Sequence, residues 1–70
     1  MNEVKANMTG NMWKMMVQVG DRVEAGEDVA ILESMKMEIP ITAEESGVVK
    51  EVKVSEGDFI NEGDVIVITE

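Results

Sequence analysis

Short apolar runs alternate with clusters of Gly, Asp, Asn and Ser along the whole chain. In Trp13-Lys14-Met15-Met16-Val17-Gln18-Val19 every odd position is apolar, so Lys14 and Gln18 are expected to face water. In Val48-Val49-Lys50-Glu51-Val52-Lys53-Val54 the even positions are mostly apolar. Such period-2 alternation marks half-buried strands. Val29 to Leu32 and Ile39 to Thr42 are two further strand-like runs, and Val65-Ile66-Val67-Ile68 is the longest apolar stretch. Turn signals separate them at Thr9-Gly10-Asn11, Gly20-Asp21, Ala25 to Asp28, Glu45-Ser46-Gly47, Glu56-Gly57-Asp58 and Asn61 to Asp64. Val and Ile supply 17 residues and Leu one, a bias that suits strands and fits helices poorly. Short strands with turns at regular spacing predict an all-β sandwich or barrel.

The pattern also repeats, at an offset of 37 residues. Gly10, Val17, Gly20, Asp21, Gly26 and Glu33 are matched by Gly47, Val54, Gly57, Asp58, Gly63 and Glu70, without a gap. Ile31/Ile68 is a further identity, and Val23/Ile60, Glu27/Asp64 and Val29/Ile66 are conservative partners in the same alignment. Two copies are too few for a solenoid. Two half-domains closing one core about a pseudo-twofold axis are therefore expected. The copies end at Glu33 and restart at Gly47, leaving Ser34 to Ser46 without a visible mate. Function is expected where the symmetry fails. Strand-like residues on both sides predict a hairpin with Met35-Lys36 at its tip. Two-residue hairpin loops favour Asn-Gly, Asp-Gly or another Gly pair, because both central residues take φ > 0. This chain spends Gly and Asp freely at its other turns but places Met and Lys here. A local rule broken at one site points to function.

Charge and composition narrow the functional classes. The chain has 6 Lys+Arg against 15 Asp+Glu, a net charge of −9, no Cys and no His. Seventy residues make one small domain, 1–70, burying about 60% of its unfolded surface. Scattered cations in an acidic background argue against nucleic-acid binding. Disulfides and thiolate or imidazole metal sites are excluded, as are the commonest general base and nucleophile. No catalytic residue is expected. No apolar run approaches the roughly 20 residues that span a bilayer, and no signal-peptide pattern opens the chain, so a cytoplasmic protein without membrane contact is expected. Met1 and the lack of a Pro/Ala-rich linker favour a free small protein, monomeric on its own. Met8, Met12, Met15 and Met16 read as core or strand packing, Trp13 as a packed anchor, and the acidic surface as a solvated face.

At Glu33-Ser34-Met35-Lys36-Met37-Glu38 the sequence resembles the biotinyl domain family, the biotin carboxyl carriers of biotin-dependent carboxylases. That family's mark is a Met-Lys-Met tripeptide, usually after Glu-Ala. The likeness extends through Ala6 to Lys14, Val19 to Gly26 and Gly47 to Gly63. It implies a flattened β-barrel, or sandwich, of two four-stranded antiparallel sheets. It also implies that Lys36 carries biotin through an amide on Nζ, with Met35 and Met37 as soft flanking contacts for a ligase and Glu33 and Ser34 within the recognised motif. The implied partners are a biotin protein ligase, a biotin carboxylase and a carboxyltransferase, in acetyl-CoA carboxylase, and so in fatty acid synthesis, or in a related acyl-CoA carboxylase. Propionyl-CoA, methylcrotonyl-CoA, pyruvate and urea carboxylases use such domains too. Ser34 replaces the usual Ala, Asn7 stands where many members have Pro, and there is no room for the protruding thumb of some carriers. Two alternatives stay open: a lipoyl carrier, whose lysine more often sits in Asp-Lys-Ala, and an unmodified β-barrel used for protein contact.

Overall fold

The computed structural model describes every residue from Met1 to Glu70. Its regular elements are all strands: β1 (Asn2–Lys5), β2 (Gly10–Met15), β3 (Arg22–Val23), β4 (Asp28–Ser34), β5 (Met37–Thr42), β6 (Gly47–Val52), β7 (Phe59–Ile60) and β8 (Val65–Thr69). They form two four-stranded sheets in the orders β1-β8-β6-β3 and β5-β4-β2-β7, every pairing antiparallel. This is the two-sheet, all-β architecture expected from the sequence. No helix is long and apolar enough to cross a membrane.

The offset of 37 maps one sheet onto the other. β2 corresponds to β6, β3 to β7 and β4 to β8, and the sheet orders exchange accordingly. The hydrogen bonds repeat with the same offset. Gly20 N–H donates to the Val49 carbonyl and Val49 N–H to that of Asp21, both at 2.8 Å. Gly57 N–H donates to Met12 and Met12 N–H to Asp58, again at 2.8 Å. Each Gly-Asp turn thus clasps a strand of the opposite half, so neither half closes without the other. The two Asp residues have a local task as well. Asp21 Oδ2 accepts from Gln18 N–H at 2.9 Å and Asp58 Oδ2 from Ser55 N–H at 2.8 Å, the side-chain closure for which Asp is favoured in turns.

The symmetry runs further than the sequence displayed. β1 is the mate of Ile39–Thr42 in β5, and Ala6 is the mate of Ala43. Gly63 N–H donates to the Ala6 carbonyl at 2.9 Å as Gly26 N–H donates to that of Ala43 at 2.8 Å. Most of Ser34 to Ser46 therefore does have a counterpart, at the start of the chain. Only the residues around the β4–β5 connection lack one. Burial is what the two copies share: Val4/Ile41, Ala6/Ala43, Met12/Val49, Val23/Ile60, Val29/Ile66 and Ala30/Val67 are buried as pairs in one core. The match fails at Leu32/Thr69, where the Thr69 hydroxyl is buried without a hydrogen-bond partner.

Several local expectations need correction. The alternation in β2 is interrupted by a bulge between Met12 and Lys14, opposite Leu32 and Ile31. Met12 and Val17 are buried, but Trp13 is half exposed rather than a packed anchor. An extra residue in one strand shifts which positions face inward. A matching bulge between Val49 and Glu51 buries Val49 and turns Val48 outward. Of the four methionines read as packing, Met12 is core and Met15 packs against it, while Met8 and Met16 are exposed. Gly10 and Gly47 are strand residues rather than turn residues.

Candidate functional site

Met35 and Lys36 form the whole connection between β4 and β5, whose last pair is Ser34 opposite Met37. The hairpin is therefore as short as an antiparallel turn allows. Both loop residues have positive φ, 51° at Met35 and 64° at Lys36, the signature of a type I′ turn. Every other positive-φ residue of the chain is glycine: Gly20, Gly26, Gly57 and Gly63. A side chain in the left-handed region costs roughly 1–2 kcal/mol, so this turn retains two residues that local energetics disfavours.

Nothing in the fold occupies those two side chains. Met35 is 92% exposed and Met37 63% exposed, values that leave both free for contact with another molecule. Lys36 is exposed and takes part in no hydrogen bond or ion pair. The chain's ion pairs engage Lys5 with Glu3, Arg22 with Glu24, Lys50 with Glu70 and Lys53 with Glu51. The shallow depressions of the surface lie along β1, Thr42 and Glu44, and around Met16 to Asp28; none includes the hairpin tip. A group held at Lys36 would thus be carried on the side chain rather than enclosed. An exposed primary amine on a short, doubly strained turn fits a covalently attached group.

The stem below the tip is rigid for identifiable reasons. Ser34 is half buried, and the pairs Glu33/Glu38, Leu32/Ile39 and Ile31/Pro40 continue the ladder without a bulge. On the other side, β4 is held by β2, where Asn11 lies opposite Glu33. Gly10 sits against this join. A Cβ there would lie 2.7 Å from the Glu33 carbonyl oxygen and 3.3 Å from Ser34 Cβ, so only glycine lets the strands close under the tip. Its mate Gly47 would meet the Glu70 oxygen at 3.0 Å. The shared offset of the two glycines is the sequence signal for this close approach. Glu33 and Glu38 face one another across the outer surface of the stem, both exposed, and like charges directly opposite weaken a strand pair. The motif residues Glu33, Ser34, Met35, Lys36 and Met37 thus form one hairpin end, with Glu38 beside them.

Comparison with known proteins identifies the family. The family model described as "Biotin-requiring enzyme" matches residues 2–69. The biotin/lipoyl attachment protein of Bacillus subtilis is 65% identical over 63 residues, covering 90% of this chain and 86% of that protein. The biotin carboxyl carrier protein of Streptococcus mutans is 41% identical over 66 residues, 94% of this chain and 51% of that protein. Among solved structures, the Kluyveromyces lactis urea carboxylase superposes with a TM-score of 0.91 at 36% identity, covering 99% of this chain and 6% of that one. The chain belongs to the biotin-requiring-enzyme family of biotin/lipoyl attachment domains.

Proposed function

We infer that this protein is a biotin carboxyl carrier in which Lys36 Nζ is the attachment atom. The carrying observation is the conjunction of Met-Lys-Met with a two-residue turn that keeps a strained, exposed and unpaired lysine at its tip. When bound, biotin supplies a ureido nitrogen that accepts a carboxyl group at a biotin carboxylase and yields it at a carboxyltransferase. The residues of this chain position the arm. The β4–β5 ladder and the Gly10 contact hold the turn still, so motion is confined to the side chain and what it carries. Tethering keeps the group at high local concentration near each partner, so docking can be weak and release fast. Bond-making belongs to the partners, and the acidic surface disfavours self-association, which supports a monomeric carrier. An acyl-CoA carboxylase is the assembly we favour, following the resemblance at the tip.

The test is intact mass after co-expression with a biotin protein ligase, and separately with a lipoate ligase. The wild type should gain the mass of biotin less one water, and Lys36→Ala should gain nothing. Absence of a biotin adduct on the wild type refutes the reading. A lipoyl carrier is the second reading, favoured by the Bacillus relative named for both attachments. A lipoyl adduct without a biotinyl one would establish it.

A further inference from the structure

The pseudo-twofold supplies an internal control for surface chemistry, because each residue on the outer face of one sheet has a counterpart on the other. The two faces have diverged. Trp13 and Phe59, the chain's sole aromatic residues, stand on the outer face of the β5-β4-β2-β7 sheet, 49% and 62% exposed. Ile31 and Pro40 lie on the same face, paired across the β4–β5 ladder. The counterparts of Trp13, Phe59 and Pro40 on the β1-β8-β6-β3 sheet are Lys50, Arg22 and Glu3. There the charges pair among themselves and their neighbours, Lys50 with Glu70, Lys5 with Glu3 and Arg22 with Glu24. Only the sheet that carries the Lys36 hairpin leaves exposed aromatic surface unpartnered.

This patch is continuous with the tip. Phe59 pairs with Asn11, Asn11 with Glu33 and Glu33 with Glu38, giving one row across the sheet at the base of the hairpin. Trp13 stands one row further down, about 7 Å along the strands. We propose that this sheet face is the docking surface for the enzyme that acylates Lys36, a ligase presenting an acyl-activated biotin. The proposal rests on the carrier reading given above.

Reach and area select that occupant. The transfer forms an amide bond at Nζ while the activated acyl bond breaks, the leaving group departs and Nζ gives up its proton. The ligase must therefore bring its acyl carbon to an atom only roughly 6 Å from the Lys36 Cα. Later partners meet an arm lengthened by biotin and can stand further off. A specific interface covers roughly 800 Å² of each partner, about a fifth of this chain's 4383 Å². Four hairpin residues cannot supply that, so the contact must run down a flank. Exposed Trp and Phe are the side chains best suited to anchor it.

The experiment measures biotin incorporation by a purified biotin protein ligase with biotin and ATP, on the full chain. Trp13→Gln with Phe59→Gln should raise KM for the carrier at least tenfold and leave kcat within twofold. The control, Lys50→Gln with Arg22→Gln on the opposite face, should stay within twofold in both. Thermal melts establish that each variant is folded. Phe59→Arg provides a second test, since Arg22 shows the fold accepts that residue at the equivalent site. Unchanged KM in the aromatic variants, or an equal rise in the control, overturns the docking proposal while leaving the carrier reading intact. A wild-type dimer that the aromatic substitutions dissolve gives the face to a second copy and also overturns it. No incorporation into the wild type overturns both.

Discussion

Replacing Met35-Lys36 by Asn-Gly should make the protein more stable while removing the lysine proposed as its acceptor. The two residues have φ of 51° and 64°, and their side chains make no ion pair or hydrogen bond with the rest of the chain. With Met35 92% exposed, its replacement removes almost no packing. Left-handed backbone costs an ordinary residue roughly 1–2 kcal/mol, which Asn reduces and Gly removes. Gly returns about 0.5–1 kcal/mol of that as extra freedom in the unfolded chain. The gain is then roughly 0.5–1 kcal/mol at each position, about 1–2 kcal/mol together. A 70-residue domain has a stability of roughly 4–10 kcal/mol, so the change is large. It corresponds to a melting temperature raised by roughly 5–15 °C for a chain of this size. Thermal denaturation followed by far-ultraviolet circular dichroism, with urea titration as a check, measures it. Lys36→Ala is the control that isolates the cause. It removes the amine but keeps a Cβ in the left-handed region, and should melt within a few degrees of wild type. An Asn-Gly variant no more stable than wild type, or an Ala variant equally stabilised, refutes the account of strain.

Four other substitutions probe the stem and the core. Gly10→Ala should cost about 1–3 kcal/mol by urea denaturation, because its Cβ would press on backbone 2.7 Å away; Gly47→Ala, whose Cβ would lie 3.0 Å from the Glu70 carbonyl oxygen, should cost less. Thr69→Val should stabilise by about 1 kcal/mol by removing a buried hydroxyl that has no partner, and a destabilised variant would mean that the hydroxyl is satisfied. Glu38→Thr should stabilise by roughly 0.2–1 kcal/mol at low ionic strength by relieving its opposition to Glu33, and the gain should shrink in molar salt.

What could be read in advance follows burial. The strands, the two-sheet architecture and the pseudo-twofold were legible because paired core positions must both stay apolar, and paired turns must both supply Gly and Asp. The mate of β5 was not. Asn2-Glu3-Val4-Lys5-Ala6 and Ile39-Pro40-Ile41-Thr42-Ala43 share only their inward positions, Val4/Ile41 and Ala6/Ala43, and so little constraint leaves no visible similarity. The two bulges were equally hidden. Trp13-Lys14 and Lys50-Glu51 each insert one residue, and either phase of the alternation looks acceptable when apolar residues fall on both. The alternation therefore points Trp13 inward, and the bulged backbone reverses it. The Met-Lys turn was legible for the opposite reason: it violates a rule the rest of the chain obeys, and no packing requirement hides the violation.

The same symmetry explains why that one turn is free to depart. The pseudo-twofold exchanges the β4–β5 connection with the place where β8 and β1 lie paired, Thr69 opposite Asn2, with no loop between them. The fold thus holds the second pair together through its ladder alone. By analogy, the connection between Ser34 and Met37 is not required to hold the first. Its two residues carry no core burden and no register burden, since the long β4–β5 ladder sets the register. Selection on them can act through what they present to other molecules, at a cost in stability that the interlocked halves absorb. A carrier needs an acceptor that is exposed, unpaired and fixed in place. A turn that the fold does not need for its own closure, mounted on a ladder that it does need, supplies all three.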